Sequence, residues 1–400
     1  MSLITPSQNQ QGGPKKGGAR RAENNRLYGH SLPITFEKSH SWTSHILGLF
    51  GVSGTRMLNP HCTGIFDPHS RSVWVIDSKD AMIMWRRGFF GKGDLSRSEP
   101  SWRTRQISAG RAAAGKHMTA EEIREKRRAE RKQFKLDRAA AIAQAAAEAE
   151  AAFTEGREAK SSVVIPSGAT WRPQQLVTEE SPSLSPIPDE ERTVEFDEDS
   201  VPDLEHLQLT LQEAFFLAWS LDCLTIIDPT TSESMSLKQI WTAFQQIHGS
   251  TYIPGVVSEI YANRFDSPFM VNYAAYHYYR SLGWIIKGGI KFCVDLLLYK
   301  RGPVFHHAEF AIVIIPVYED PEDQETSPFD LANSQPFSWT WLSTVNRVNS
   351  QVQKTLILTY VTIPARSRVS QELLSSPACL AHYSVREVVL RRFIPARMRD

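Results

Sequence analysis

The chain has 400 residues, 41% of them hydrophobic, which is enough to bury a sizeable core over about two or three domains and excludes a mostly disordered protein. A formal net charge of +1 hides strong segregation, because basic runs at Lys15 to Arg21, Arg124 to Lys135 and Arg386 to Arg399 offset an acidic one from Asp189 to Glu205; local charge matters more than the total. Cys62, Cys223, Cys293 and Cys379 lie far apart without a CxxC pair, which argues against a structural zinc site and a disulfide framework and fits a reducing intracellular compartment.

Residues 1–25 lack hydrophobic periodicity and read as a disordered basic tail. Lys15, Lys16, Arg20 and Arg21 would suit nucleic acid or a nuclear address, and equally a solvated tail. Neither this polar start nor any run of roughly 18 apolar residues announces a signal peptide or a transmembrane segment, so the chain reads as soluble. Globular text begins near Tyr28, where "SHILGLFG", "HCTGIFDP", "SVWVIDS" and "AMIMWRRGFFGKG" alternate with turn residues. They predict the first part of a small α+β domain, residues 26–117. The "GKG" at Gly91 to Gly93 lacks the spacing of a phosphate loop.

Residues 118–160 are rich in Ala, Glu, Arg and Lys with almost no apolar stripe, which predicts a long solvated helix. Its basic half leaves two readings open, an RNA contact and an exposed spacer. Residues 161–206 carry Pro, Ser, Asp and Glu and read as an acidic disordered linker, so that 118–206 forms an insertion. The domain resumes over 207–267 with Leu211, Phe215, Trp219 and Leu221 at helical spacing, followed by the amphipathic "SLKQIWTAFQQI". A last domain, 268–400, opens on the aromatic helix "PFMVNYAAYHYYRSLG". Strands "WIIK", "KFCVDLLLY", "AEFAIVIIPVY" and "KTLILTYVTI" follow, with the helix "SWTWLSTVNRVNSQV" before the fourth and "VREVVLRRFI" as a closing strand. The order predicts a helix-flanked sheet within an overall α+β fold.

In "KFCVDLLLY" a period of two assigns Phe292, Val294, Leu296 and Leu298 to one face and Cys293, Asp295, Leu297 and Tyr299 to the other. Tyr299 ends this strand, a short Gly-Pro link leads to His306 and His307, and Lys354 stands at another strand start. A phenol, an imidazole and an ammonium on one sheet edge suit RNA cleavage without metal. The 2′-hydroxyl must lose a proton, the 5′-oxygen must gain one, and the phosphorane between them needs its charge stabilised. With a phenol pKa near 10, Tyr299 needs nearby cations such as Lys354, Lys300 or Arg301 to act as a base, and otherwise orients the 2′-hydroxyl. Taken singly, each residue has a bland reading: a packing tyrosine, a solvated histidine, a lysine complementing a helix dipole.

The string "YYRSLGWIIKGGIKFCVDLLLYKRGPVFHHAEF" is more specific. It resembles the catalytic domain of tRNA-splicing endonucleases, and the likeness continues through "RVNSQVQKTLILTYV" and "VREVVLRRF". Upstream, "SHSWTSHILGLFGV", "GIFDPHSRSVWV" and "WRRGFFGKGDLSRSEPSW" resemble the N-terminal region of the catalytic subunit that cuts the 5′ splice site, in its fungal form. The resemblance implies a restriction-endonuclease-like sheet, with Tyr299 as general base, His307 as general acid and Lys354 as phosphorane stabiliser. It also implies a base clamp made by Arg347 and the residue at Phe393, where relatives commonly carry Trp, and it marks Cys293 as replacing a usual Gly, a change expected to affect packing. The implied activity leaves 2′,3′-cyclic phosphate and 5′-hydroxyl ends and uses no cofactor and no metal. The implied partners are precursor tRNA, two structural subunits and a second catalytic subunit in a heterotetramer with acidic docking loops. No DNA is expected. The expected compartment is the nucleus, with the cytosolic face of the mitochondrial outer membrane as the alternative.

Three other readings compete. A non-catalytic structural subunit would lack the Tyr, His and Lys set. A metal-dependent DNA nuclease would use Asp295 and Glu309, but no Glu-x-Lys follows them. A scaffold would depend on 118–206 and not on His307.

Overall fold

The structure, a computed structural model, describes residues 19–38, 55–96, 98–113, 120–154, 201–249, 258–262 and 264–391. Residues 1–18 of the expected tail, "SHILGLFG", all of 155–200 and Phe393 lie outside the described residues. The chain has the helices and two mixed five-stranded sheets of an α+β fold.

The first helix, α1 (Ala19–Leu27), occupies the end of the segment expected to be a disordered tail. Its anchor is the next residue. Tyr28 stacks on Phe89 at 5.6 Å and donates its hydroxyl to the Glu99 carboxylate at 2.9 Å, and such contacts offset the cost of ordering a polar helix. Strands β1 (Thr35–Lys38) and β2 (Thr55–Leu58) pair antiparallel.

The first five-stranded sheet combines β3 (Cys62–Asp67), β4 (Ser72–Val75) and β5 (Lys92–Gly93) with β6 (Leu207–Thr210) and β7 (Leu224–Ile227), in the order β5-β6-β4-β3-β7. Strands from either side of residues 102–204 therefore interleave. Helix α2 (Ser78–Arg86) starts at Asp77, whose carboxylate accepts the N–H groups of Lys79 and Asp80. Residues Trp102–Leu204 cluster as a separate compact unit. Its described elements are the helix α3 (Trp102–Ala113) and the 35-residue α4 (Ala120–Thr154). Within this unit Arg103 donates to the Val201 carbonyl at 3.0 Å.

After β6 the chain enters α5 (Leu211–Phe215) through a capping box between Thr210 and Glu213, and the next turn widens into a π-helix, Phe216–Ser220. A second capping box, Ser236 with Gln239, starts α6 (Leu237–Gln246); a single turn, α7 (Glu259–Ala262), comes next. Helix α8 (Pro268–Ser281) opens with Pro in its first turn and buries residues all round, among them Phe269, Tyr273, Tyr276 and Tyr279. Gly283, at φ +92°, lets the chain turn back from its end.

The second sheet holds β8 (Ile285–Gly288), β9 (Leu296–Tyr299), β10 (Phe310–Tyr318), β11 (Thr355–Ile363) and β12 (Ser384–Leu390), ordered β12-β11-β10-β9-β8. Strands β10 and β11 are parallel and almost continuously buried, as central strands covered on both faces must be. The α8 face carries Leu298, Ile312, Ile314, Ile357 and Val361 in the main core. The opposite face carries Leu297, Ala311, Val313, Leu356 and Leu358 under Leu342 and Val345 of α10 (Trp339–Gln351). Between β10 and α10, the short α9 (Pro321–Glu325) is tied in by Arg264, which donates to the Asp323 and Thr326 carbonyls and forms a buried ion pair with Asp266 at 2.8 Å. Lys287 on β8 ties the second sheet to segments that flank the first. Its Nζ donates to the Gly91 carbonyl at 2.6 Å, lies 3.7 Å from Glu213 Oε1 and sits 4.7 Å from the Trp85 ring centre.

One expected strand is shortened. Residues Ile290–Phe292 form a 3-10 turn, Cys293 adopts φ +56°, and β9 begins only at Leu296. The period of two fails there, so Phe292 and Val294 join Leu297 and Tyr299 on the α10 side. The left-handed backbone at Cys293 also explains why Gly suits this position: the issue is φ, not packing.

Candidate active site

Tyr299 is the last residue of β9, paired with Ile285 on one side. On the other side Glu309 donates its N–H to the Leu298 carbonyl at 3.0 Å and accepts from the Thr355 N–H at 3.0 Å. The start of β10 is thus held between the end of β9 and the start of β11. Tyr299 and Lys354 fall at the same end of the sheet, two strand spacings or roughly 10 Å apart along the hydrogen-bonding direction. They also share a face. Tyr299 and Phe292 pack on the cluster beneath α10, and Lys354 sets its ammonium 4.6 Å from the centre of the Phe292 ring.

The link carrying the histidines is folded. Gly302 has φ +111°, and a Cβ there would come within 2.2 Å of the Phe89 ring, so only Gly fits. Its carbonyl accepts the N–H groups of Phe305 and His306, and the Arg301 guanidinium lies over the Phe305 ring at 4.4 Å. His306 and His307 are both exposed, and the buried Ala308 after them anchors the entry to β10. His307 therefore stands at the strand end that carries Tyr299 and Lys354.

Burial governs the electrostatics of both groups. Burial alone pushes the Tyr299 phenol above its ordinary value, with no cation lowering it. Arg301 is engaged with Phe305 and with Asn25 Oδ1 at 3.0 Å, and Lys354 faces Phe292 and the Val352 carbonyl. Shielding from water in turn pushes the Lys354 ammonium below the ordinary lysine value. Lys354 is only 8% exposed.

Two supporting residues escaped the sequence reading. Phe292 was assigned to the wrong face, because its 3-10 turn is invisible to an alternation rule. Asn349, wholly buried on α10, donates Nδ2 to the Phe292 carbonyl at 3.1 Å and to the Val345 carbonyl at 2.9 Å. Its own carbonyl accepts the Lys354 N–H at 3.0 Å. Asn349 thus holds the lysine backbone through its main-chain carbonyl and the Phe292 backbone through its side chain; a polar residue amid an apolar helix stripe was the available signal.

Arg347 is exposed on the side of α10 opposite Leu342, Val345 and Asn349, about one turn from the helix end. The structure does not bring it into the Tyr299–Lys354 cluster, and its expected partner Phe393 lies outside the described residues. Asp295, the acid a metal-dependent nuclease would need, accepts the Ile314 N–H at 2.7 Å and so serves the sheet.

Residues 269–369 match the family described as the tRNA intron endonuclease, catalytic C-terminal domain. Across nearly the full length, the chain is 32% identical to the probable tRNA-splicing endonuclease subunit sen2 of Schizosaccharomyces pombe, covering 95% of this chain and 100% of that protein. Identity to subunit SEN2 of Saccharomyces cerevisiae is 28%, over 82% and 83% of the two chains, and to Sen2 of Rattus norvegicus 35%, over 49% and 36%. The chain belongs to the Sen2 subunit family of tRNA-splicing endonucleases, which are endoribonucleases.

Proposed function

We propose that this chain is the subunit that cuts precursor tRNA at the 5′ splice site, by metal-independent attack of the 2′-hydroxyl on the adjacent phosphate. The products are a 2′,3′-cyclic phosphate and a 5′-hydroxyl. The observation that carries this reading is the pairing of Tyr299 and Lys354 on one face and one end of the sheet, with His307 on the loop that leads from β9 into β10, the strand between them. Tyr299 orients the 2′-hydroxyl through its phenol and takes its proton through the minor phenolate fraction that burial leaves. His307 protonates the leaving 5′-oxygen, and the Lys354 ammonium stabilises the phosphorane oxygens. Arg347, exposed on α10, reaches toward an intron base. The chain works with two structural subunits and a second catalytic subunit.

The test is cleavage of an intron-containing precursor tRNA in EDTA by the complex co-purified with this chain, with both product ends identified. Cutting at the 5′ site with a cyclic phosphate end is expected. Loss of cutting in EDTA, or 3′-hydroxyl ends, would overturn the mechanism.

A further inference from the structure

The residue proposed to activate the 2′-hydroxyl lies at one end of a larger groove. This groove, of about 780 Å³, runs between the edge of the second sheet and the first sheet, and Tyr299, Phe292 and Lys291 line one wall. The other wall comes from the N-terminal half: Arg71 on the β3–β4 turn, Lys92 on β5, and Gln208 on β6. None of these N-terminal residues belongs to the catalytic trio.

Charge decides what fits. Arg71, Lys92 and Lys291 are exposed cations at the groove. The two lining carboxylates are used internally: Glu213 accepts the N–H groups of Gly91 and Thr210 and pairs with Lys287, while Asp295 accepts the Ile314 N–H. With Glu213 paired to Lys287, three exposed cations face the single carboxylate of Asp295, and the lining is net positive. Its volume is that of a small-ligand pocket, which excludes a duplex and admits a short stretch of single strand. Cations that track phosphates next to an aromatic ring are how proteins hold single-stranded nucleic acid, and Phe292 supplies a half-buried ring to the groove lining.

We infer that this groove holds the unpaired RNA nucleotides adjoining the scissile phosphate, with Lys92 and Lys291 as their phosphate contacts. The N-terminal sheet is then one wall of the substrate site. The inference rests on the endonuclease reading and adds to it residues 71, 92 and 291, which position substrate and move no proton.

The experiment uses the purified complex with full-length chain and a precursor tRNA carrying a 2′-deoxy residue at the cleavage position, so that binding is read without cutting. Lys92→Ala with Lys291→Ala is expected to weaken binding about tenfold and to flatten the slope of log affinity against log salt by about 0.7 per removed cation. Lys238→Ala, on the exposed side of α6, should leave both unchanged. Photocross-links from 4-thiouridine beside the scissile bond should fall within residues 85–98 or 285–303. Unchanged affinity and salt slope in the double variant, cross-links elsewhere, or a groove already shielded from hydrogen exchange by another subunit before RNA is added would each overturn the inference. Failure of the wild-type complex to cut an unmodified precursor would instead remove the endonuclease reading and this one with it, so the two failures are distinguishable.

Discussion

The two faces of the catalytic sheet are each covered by one helix, yet they end differently. On α8, Tyr279 shares a 2.6 Å hydrogen bond with Thr359 on β11, and buried Arg280 donates to the Gly88 carbonyl at 2.8 Å over the Phe90 ring. Beneath α10 the half-buried Tyr299 packs at the edge of the apolar cluster at one end of the sheet, and Lys354, 8% exposed, sets its ammonium over the Phe292 ring there. Burial moves both groups in the direction that disfavours charge, upward for the phenol and downward for the ammonium. One face is built for stability and the other accepts a desolvation cost where chemistry is proposed.

The contrast can be broken in three ways. His307→Ala should show the largest effect, a loss of roughly 10²- to 10⁴-fold in cleavage rate, while thermal stability and subunit assembly stay as in the wild type, because the side chain is exposed. Wild-type cutting by this variant would end the proposed acid role. On the opposite face, Tyr279→Phe leaves the fully buried Thr359 hydroxyl without its partner and should cost about 1–3 kcal/mol. Cleavage per folded complex should be unchanged, and a denaturant midpoint beside a rate measurement separates the two effects. The smallest effect belongs to Lys354→Arg, read as a shift in a pH–rate profile. A group that must be protonated and whose pKa is lowered loses activity at a lower pH than an ordinary lysine. Arginine, charged throughout, should therefore move the alkaline limb to higher pH even where its different shape slows the reaction. An unmoved limb would show that Lys354 is not the group titrating there.

Much of this was legible in local sequence. The aromatic run of α8, the apolar runs of β10 and β11 and the amphipathic stripe of α10 each carry a period that only one element satisfies. The periods place Tyr299, His307 and Lys354 near strand ends, and the resemblance to the endonuclease family singles them out. The failures are local too. Residues 291–295 look like a strand by composition, but a 3-10 turn and the left-handed Cys293 intervene, and alternation is blind to positive φ. The helix Ala19–Leu27 hides in polar text because its anchor, Tyr28, finds Phe89 and Glu99, 61 and 71 positions away.

By itself, then, the sequence determined most of the long elements, their order and the family, since these depend on side-chain periodicity and on strings read within a few dozen residues. Only the tertiary structure decided that Asn349 steadies both Phe292 and Lys354, that burial raises the Tyr299 phenol, and that a cationic wall from the N-terminal half faces Tyr299 across a groove. Each of these depends on register and packing between segments remote in the chain, and desolvation and charge act through space, where sequence separation carries no information.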